Sequence, residues 1–411
     1  MTDGGLELVW RECAPDVLAA LTRRYGDFDA AEDAVQEALL AAARQWPTEG
    51  LPNSPKAWLI TVASRRYVDQ WRSERARADR EQLVAGLTPP EELVAGAADV
   101  FDGNARDDSL TLLLLCCHPA LSPPSQVALT LRAVAGLSTA QIARAFLVPE
   151  ATMAQRISRA KSRLRQVNAP FAVPAAEELP DRVSAAAHVL YLVFTESHTA
   201  TTGPGLYDPV LADEAIRLTR RLHDLLPDDG EVSGLLALML LTDARRGARI
   251  ARNGSLVPLS EQDRSLWDPK RITEGTALVE KALPAGYVGP FQLQAAIAAV
   301  HAEATRAEDT DWVQIEILYR MLQGIAPSPV VTLNHAVAAA MVDGPNAGLD
   351  MLEPLLHDEQ LLRYHRLHAV RAHLLELDGR ADDARAGYAL AAGLTTSIAE
   401  QRYLNAKAAQ P

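Results

Sequence analysis

Residues 137–165, LSTAQIARAFLVPEATMAQRISRAKSRLR, constrain the fold more tightly than any other stretch of the chain. The segment reads as helix, short turn, helix and basic tail. Ser138 and Gln141 form a capping box at the start of the first helix. Met153, Ile157, Ala160 and Leu164 recur at helical spacing on the second, and Ile142 and Phe146 complete a shared apolar seam. Gln155, Ser158, Arg159 and Ser162 are then turned outward. Residues 151–169 carry Arg156, Arg159, Lys161, Arg163 and Arg165 and no acid. Such a face can reach base edges from a major groove, with flanking cations on phosphate. An ordinary helical hairpin with a solvated basic face is the alternative reading.

Two earlier segments share this character. In residues 29–46, DAAEDAVQEALLAAARQW, Ala31, Val35, Ala38, Leu39 and Ala42 mark the apolar side of a helix. Asp33, Gln36 and Glu37 stand at i, i+3 and i+4 on one exposed face, suited to docking on a basic partner or simply solvated. Ser54 and Pro55 then open a long helix to about Arg80. Its apolar side carries Trp58, Val62, Ala63, Tyr67 and Trp71, interleaved with Arg65, Arg66, Arg72, Arg75 and Arg77. Arginine grips phosphate and aromatic rings stack on unpaired bases, so the helix suits opened DNA. Core anchoring by Trp58 or Trp71 is the competing role. Residues 81–108 are acidic and punctuated by Pro and Gly, the signature of a flexible linker.

The formal net charge of −13 argues against a general nucleic-acid coat protein, but the acidity lies mainly beyond residue 169 and leaves the basic helix intact. Aromatic residues are only 5% while Ala and Leu abound, which favours helix. Past the Pro-containing stretch near 170–180 the chain reads as helical to its end. Segments 330–355 and 366–392 place small residues in register at an offset of about 36 residues, as in tetratricopeptide-like helix pairs. Ala336 aligns with Ala372 and Gly348 with Ala384. An unrelated helical array fits as well.

No apolar run reaches the roughly 18–20 residues of a membrane span, and the N-terminus lacks the pattern of a signal peptide. The three cysteines, Cys13, Cys116 and Cys117, form no disulfide framework, as expected of a cytoplasmic protein. Adjacent Cys116 and Cys117 diverge by about 100° on a helix and suit core packing better than a metal. His357, His365, His368 and His373 read as structural or surface residues, and Asp309 and Asp311 as helix caps. No nucleotide-binding, hydrolase or metalloprotease motif is present, so neither enzyme activity nor a cofactor nor a metal is expected.

Taken in order, the acidic helix, the aromatic-basic helix, the acidic linker and the helix-turn-helix with its basic exit resemble the sigma-70 family, in its small extracytoplasmic-function form. DAAEDAVQEALLAAARQW looks like the region 2 polymerase-docking helix, AWLITVASRRYVDQW like the segment that opens and reads the −10 element, and residues 137–165 like the region 4 reader of the −35 element. Further on, LLALMLLTDARR, QDRSLWD, QLQAAIAAVHAEA, EDTDW and APSPVVTLNHAVA resemble the subgroup with a tetratricopeptide-like C-terminal extension. Pro149 stands where the family often has Ser, and Ala154 where a longer polar side chain is common. The resemblance implies an all-α chain: a region 2 domain at 1–80, a linker at 81–108, a region 4 domain at 109–169 and a helical regulatory domain at 175–411, with repeats near 327–400. It implies core RNA polymerase and promoter DNA as partners, and leaves room for a regulatory protein acting through the C-terminal domain. Asp33, Gln36 and Glu37 would bind polymerase. Trp58, Arg65, Arg66 and Arg72 would serve the −10 region, and Gln155, Arg156, Ser158, Arg159 and Lys161 the −35 region. A helix-turn-helix regulator with a ligand- or protein-sensing helical domain is the alternative; it would need neither the acidic nor the aromatic-basic helix.

Overall fold

The computed structural model describes residues 3–81, 105–146, 148–198, 209–251, 253–283 and 286–410. Among them there is no β-strand, and the chain divides into two units, Met1–Leu190 and Tyr191–Pro411. Most of the expected linker, residues 82–104, lies outside the described residues, and helix has already begun at Ala105.

The first unit begins with α1 (Asp3–Tyr25), α2 (Phe28–Glu49) and α3 (Pro55–Glu81). Gly26, at φ +77°, takes the left-handed conformation that ends α1. Asp27 then caps α2 by accepting from the N–H groups of Asp29 and Ala30 at 3.0 and 3.1 Å. Ser54 accepts from the Ala57 N–H at 3.4 Å at the start of α3. Leu21, Ala31, Val35, Ala38, Leu59 and Ala63 are buried between the three helices. Tyr67 stacks on Tyr25 with ring centroids 4.1 Å apart. The buried side of α3 is Leu59, Ile60, Ala63, Tyr67 and Val68, which corrects the seam expected through Trp58, Val62 and Trp71. α3 packs against both α1 and α2, so its buried arc is turned toward two neighbours.

The same unit continues through α4 (Ala105–Cys116), α5 (Pro123–Ala133), α6 (Thr139–Ala145) and α7 (Glu150–Gln166). Both bonds of the capping box are present: the Ser138 N–H donates to Gln141 Oε1 at 2.8 Å, and the Gln141 N–H to Ser138 Oγ at 3.2 Å. Cys116 and Cys117 are fully buried, and burial pushes the Cys117 thiol up to about 12. α8 (Leu179–His198) crosses the boundary between the units. Its Arg182 donates to the Leu114 carbonyl at 2.7 Å, so the first turns of α8 belong with the front unit and the boundary falls later than residue 175.

The second unit comprises α9 (Pro209–Leu225), α10 (Gly230–Asp243), α11 (Pro269–Ala282), α12 (Pro290–Glu303), α13 (Trp312–Ile325), α14 (Pro329–Asp343), α15 (Pro345–Leu352), α16 (His365–Leu377), α17 (Ala381–Leu394) and α18 (Ile398–Ala408). α10 is apolar on nearly every side and is enclosed by α9, α11 and α12, as such a helix must be covered. Gly234 allows close approach to α12, where a Cβ would stand 2.6 Å from the Gln292 nitrogen. The Glu231 carboxylate accepts from the N–H groups of Phe291 and Gln292 at 3.2 and 3.0 Å, where the helix dipole favours an anion. Asp311 caps α13 through the Gln314 N–H at 2.9 Å, whereas Asp309 pairs with Arg306. α14 and α15 form one helix pair and α16 and α17 the next. Gly348 lies against the Ala336 carbonyl in the first, and Gly387 against Ala372 in the second. A glycine thus lies at a close helix crossing in each pair.

Candidate nucleic-acid interface

α7 is divided as its sequence dictates. Met153, Ile157, Ala160 and Leu164 are buried against the rest of the unit, while Gln155, Ser158, Arg159 and Ser162 are exposed and Arg156 is half-buried. Its N-cap is Pro149, which contributes no side-chain acceptor.

Lys161 does not share the open face. Only 11% of its side chain is exposed, and its Nζ lies 2.8 Å from Asp29 Oδ1, 2.6 Å from Glu32 Oε2 and 3.8 Å from Asp33 Oδ1. Arg165 donates to Asp29 Oδ2 at 2.5 Å. On the other side of Glu32, Arg132 Nε donates to Oε1 at 3.0 Å. The acidic face of α2 and the basic side of α7 are therefore joined directly. Two further ties act beside them: Asp16 accepts from both Lys56 and Ser109, and Arg23 pairs with Asp108.

The titration behaviour follows from this geometry. Burial alone would raise the Asp29 carboxyl, but the bonds and charges of Lys161 and Arg165 outweigh it and hold the group below its ordinary range. Burial would lower Lys161, and Glu32 and Asp29 overcome that to raise it. Asp33 goes the other way. Burial raises it, Glu32, Asp29 and Asp27 add repulsion, and Lys161 offsets them only in part. A carboxylate whose charge is disfavoured in the free protein has something to gain from an added cation.

Asp33 and Glu37 are exposed on α2, and Glu37 lies 3.5 Å from Arg66 in an open pair. Gln36 is half-buried and lines a cleft of about 400 Å³ with Trp10, Leu39, Arg132 and Gln141. On α3, Arg65, Arg66 and Arg72 are exposed. Trp58 is half-buried, edge-on to the buried Trp46 at 5.4 Å. The side chains of Arg75 and Arg77 lie outside those described. Glu32, Asp29 and Arg132 escaped the reading of the sequence. The available signal was that Asp29, Glu32 and Asp33 stand at i, i+3 and i+4, extending the face of Gln36 and Glu37 by one turn.

The chain matches the models of Sigma-70 region 2 over residues 9–77 and Sigma-70, region 4 over residues 111–164. Residues 182–283 match a family of unknown function (DUF6596). An uncharacterized protein of Rhizobium meliloti is 45% identical over 98% of this chain and 95% of its own length. The probable ECF RNA polymerase sigma factor SigI of Mycobacterium tuberculosis is 30% identical over 38% of this chain and 53% of its own length. The ECF RNA polymerase sigma factor SigK of a Mycobacterium species is 30% identical over 34% of this chain and 71% of its own. The chain belongs to the extracytoplasmic-function group of the sigma-70 family and carries a helical C-terminal extension. It is an alternative sigma factor, an initiation factor that directs RNA polymerase to promoters. Among the described residues no helix is long and apolar enough to cross a membrane.

Proposed function

We propose a division of labour among the helices. Asp33, Gln36 and Glu37 on α2 dock core polymerase; Trp58, Arg65, Arg66 and Arg72 on α3 serve the −10 region; Gln155, Arg156, Ser158, Arg159 and Lys161 on α7 serve the −35 region, all in the cytoplasm. The observation that carries this reading is the split of α7, with four apolar side chains inward and an amide, hydroxyls and guanidinium outward. Lys161 reaches phosphate only after it leaves Asp29 and Glu32.

Docking through α2 has a direct test. The double substitution Asp33→Lys and Glu37→Lys should weaken binding to core polymerase by about 1–3 kcal/mol, since it sets cations against a basic partner. Circular dichroism would establish that the variant folds. Unchanged affinity in a folded variant would overturn the assignment.

The extension modulates the sigma unit from within the same chain and is needed for full activity. What supports this is that the acidic excess lies mainly in the extension, while α7 is basic. The continuous α8 joins the two units, so each stays at high local concentration to the other. Truncation after Leu190, which keeps the Arg182 contact, should lower promoter-specific run-off transcription about fivefold or more. Equal transcription by truncated and full chains at every salt concentration would place the role of the extension outside initiation.

A further inference from the structure

The second unit contains a cavity of about 440 Å³, the size of a small-molecule site, between the loop after α10 and α12, α13 and α14. Arg264, His301, Trp312 and Tyr319 line it, with Val337 and Met341 among its apolar walls. Arg264 is held by backbone oxygens: its Nη1 donates to the carbonyls of His301 and Ala304, each at 2.5 Å, and its guanidinium lies 4.7 Å from the Trp267 ring centroid. Its Nε is buried without a partner. Arg245 is close enough for its charge to act on His301, Tyr319 and Arg264, and Arg249, which donates to the His198 carbonyl at 3.0 Å, is its other near cation.

Among the described residues neither Arg245 nor Arg264 has a carboxylate partner. The contrast within the same unit is sharp. Arg246 and Arg271 share Asp213 and Asp243, Arg220 meets Glu274, and Arg320 meets Glu316. The nearest acids to Arg264, Glu308 and Asp309, are exposed and bound by Arg306 at 3.4 and 3.0 Å. Arg245 is largely and Arg264 partly withdrawn from water, and neither has a counter-ion, so a fitted anion there would be stabilising. The walls indicate the rest of the ligand. Trp312 stands edge-on to His301 at 5.3 Å, and Tyr319 stacks beside His335 at 6.1 Å, so flat aromatic surface flanks the charge. Burial, with Arg245 and Arg264, pushes His301 down to about 4, and burial pushes Tyr319 up to about 12, leaving both neutral near pH 7 and able to donate hydrogen bonds.

We propose that this cavity binds a small organic carboxylate with a planar apolar body, its carboxylate taken by Arg264 with Arg245 behind it and its body against Trp312 and Tyr319. The site is independent of whether the extension modulates transcription.

Calorimetric titration and thermal melting of the full chain test it, with indole-3-acetate, benzoate, their neutral amides and inorganic phosphate as probes at millimolar concentration. At least one carboxylate should bind and raise the melting temperature, while its amide and phosphate should not. Arg245→Met should melt at or above the wild-type temperature, because it removes an uncompensated charge, yet lose at least about tenfold in carboxylate affinity. Arg264→Gln should lose affinity similarly, and Arg245→Met keeps the test valid if Arg264→Gln fails to fold. Phosphate binding without carboxylate binding, equal binding of acid and amide, undiminished affinity in Arg245→Met, or no response to either carboxylate would each overturn the proposal.

Discussion

Replacing Lys161 with methionine is expected to destabilise the sigma unit by about 2–3 kcal/mol, because it removes one of the two cations that serve each of the buried Glu32 and the half-buried Asp29. Glu32 keeps Arg132 and Asp29 keeps Arg165, so the fold should survive with a melting temperature lower by roughly 10 °C. The pH dependence has a definite sign. Burial opposes ionisation of Asp29, but Lys161 and then Arg165 hold its carboxyl below the ordinary range. Its contribution is therefore complete above about pH 4 and disappears as pH falls through the lowered value. Lys161 is raised against the opposing effect of burial, so its contribution is complete below about pH 10 and disappears as pH climbs through the raised value. The gap between wild type and variant should be widest near neutrality and narrow in acid. Thermal melts across pH would show it, and a variant that melts with the wild type at pH 7 would mean that the ion cluster contributes nothing.

The second large effect concerns choice of promoter and should leave stability untouched. Gln155 and Arg159 are exposed on α7, so truncating either to alanine removes no packing. Each should change preference at one base position of the −35 element by about 1–3 kcal/mol. Arg156→Ala should instead weaken all promoters alike and reduce the salt slope of binding by about one. Competition binding by the reconstituted holoenzyme on a randomised −35 library separates the two outcomes. If Gln155→Ala and Arg159→Ala leave the selected sequences unchanged, another face of α7 meets the DNA.

What could be read in the chain was whatever depends on near neighbours. The faces of α7, the Ser138–Gln141 box and the caps at Ser54 and Asp311 are set within one or two helical turns, and each is present. The seam of α3 was misplaced because a wheel assumes one packing partner, whereas α3 has two. The pairing of Lys161 with Asp29 spans 132 positions, and no local spacing records it. Treated alone, α7 offered Lys161 as one more phosphate-binding cation; only the folded unit places it beside α2. Arg182 is a similar case, since its bond to the Leu114 carbonyl carries the front unit past the proline-rich stretch that looked like its end.

The join between α2 and α7 makes the sigma unit its own first polyanion. Asp29, Glu32 and Asp33 present Lys161 and Arg165 with a row of carboxylate oxygens one helical turn deep, much as a duplex presents phosphates. On the proposed docking of α7, a protein arriving at DNA in this arrangement would exchange one anionic surface for another at those two cations, and fewer small ions would be set free than its basic helix suggests. Its promoter binding should then vary less steeply with salt than that of a sigma factor whose region 4 cations start in water, by up to about two phosphate equivalents.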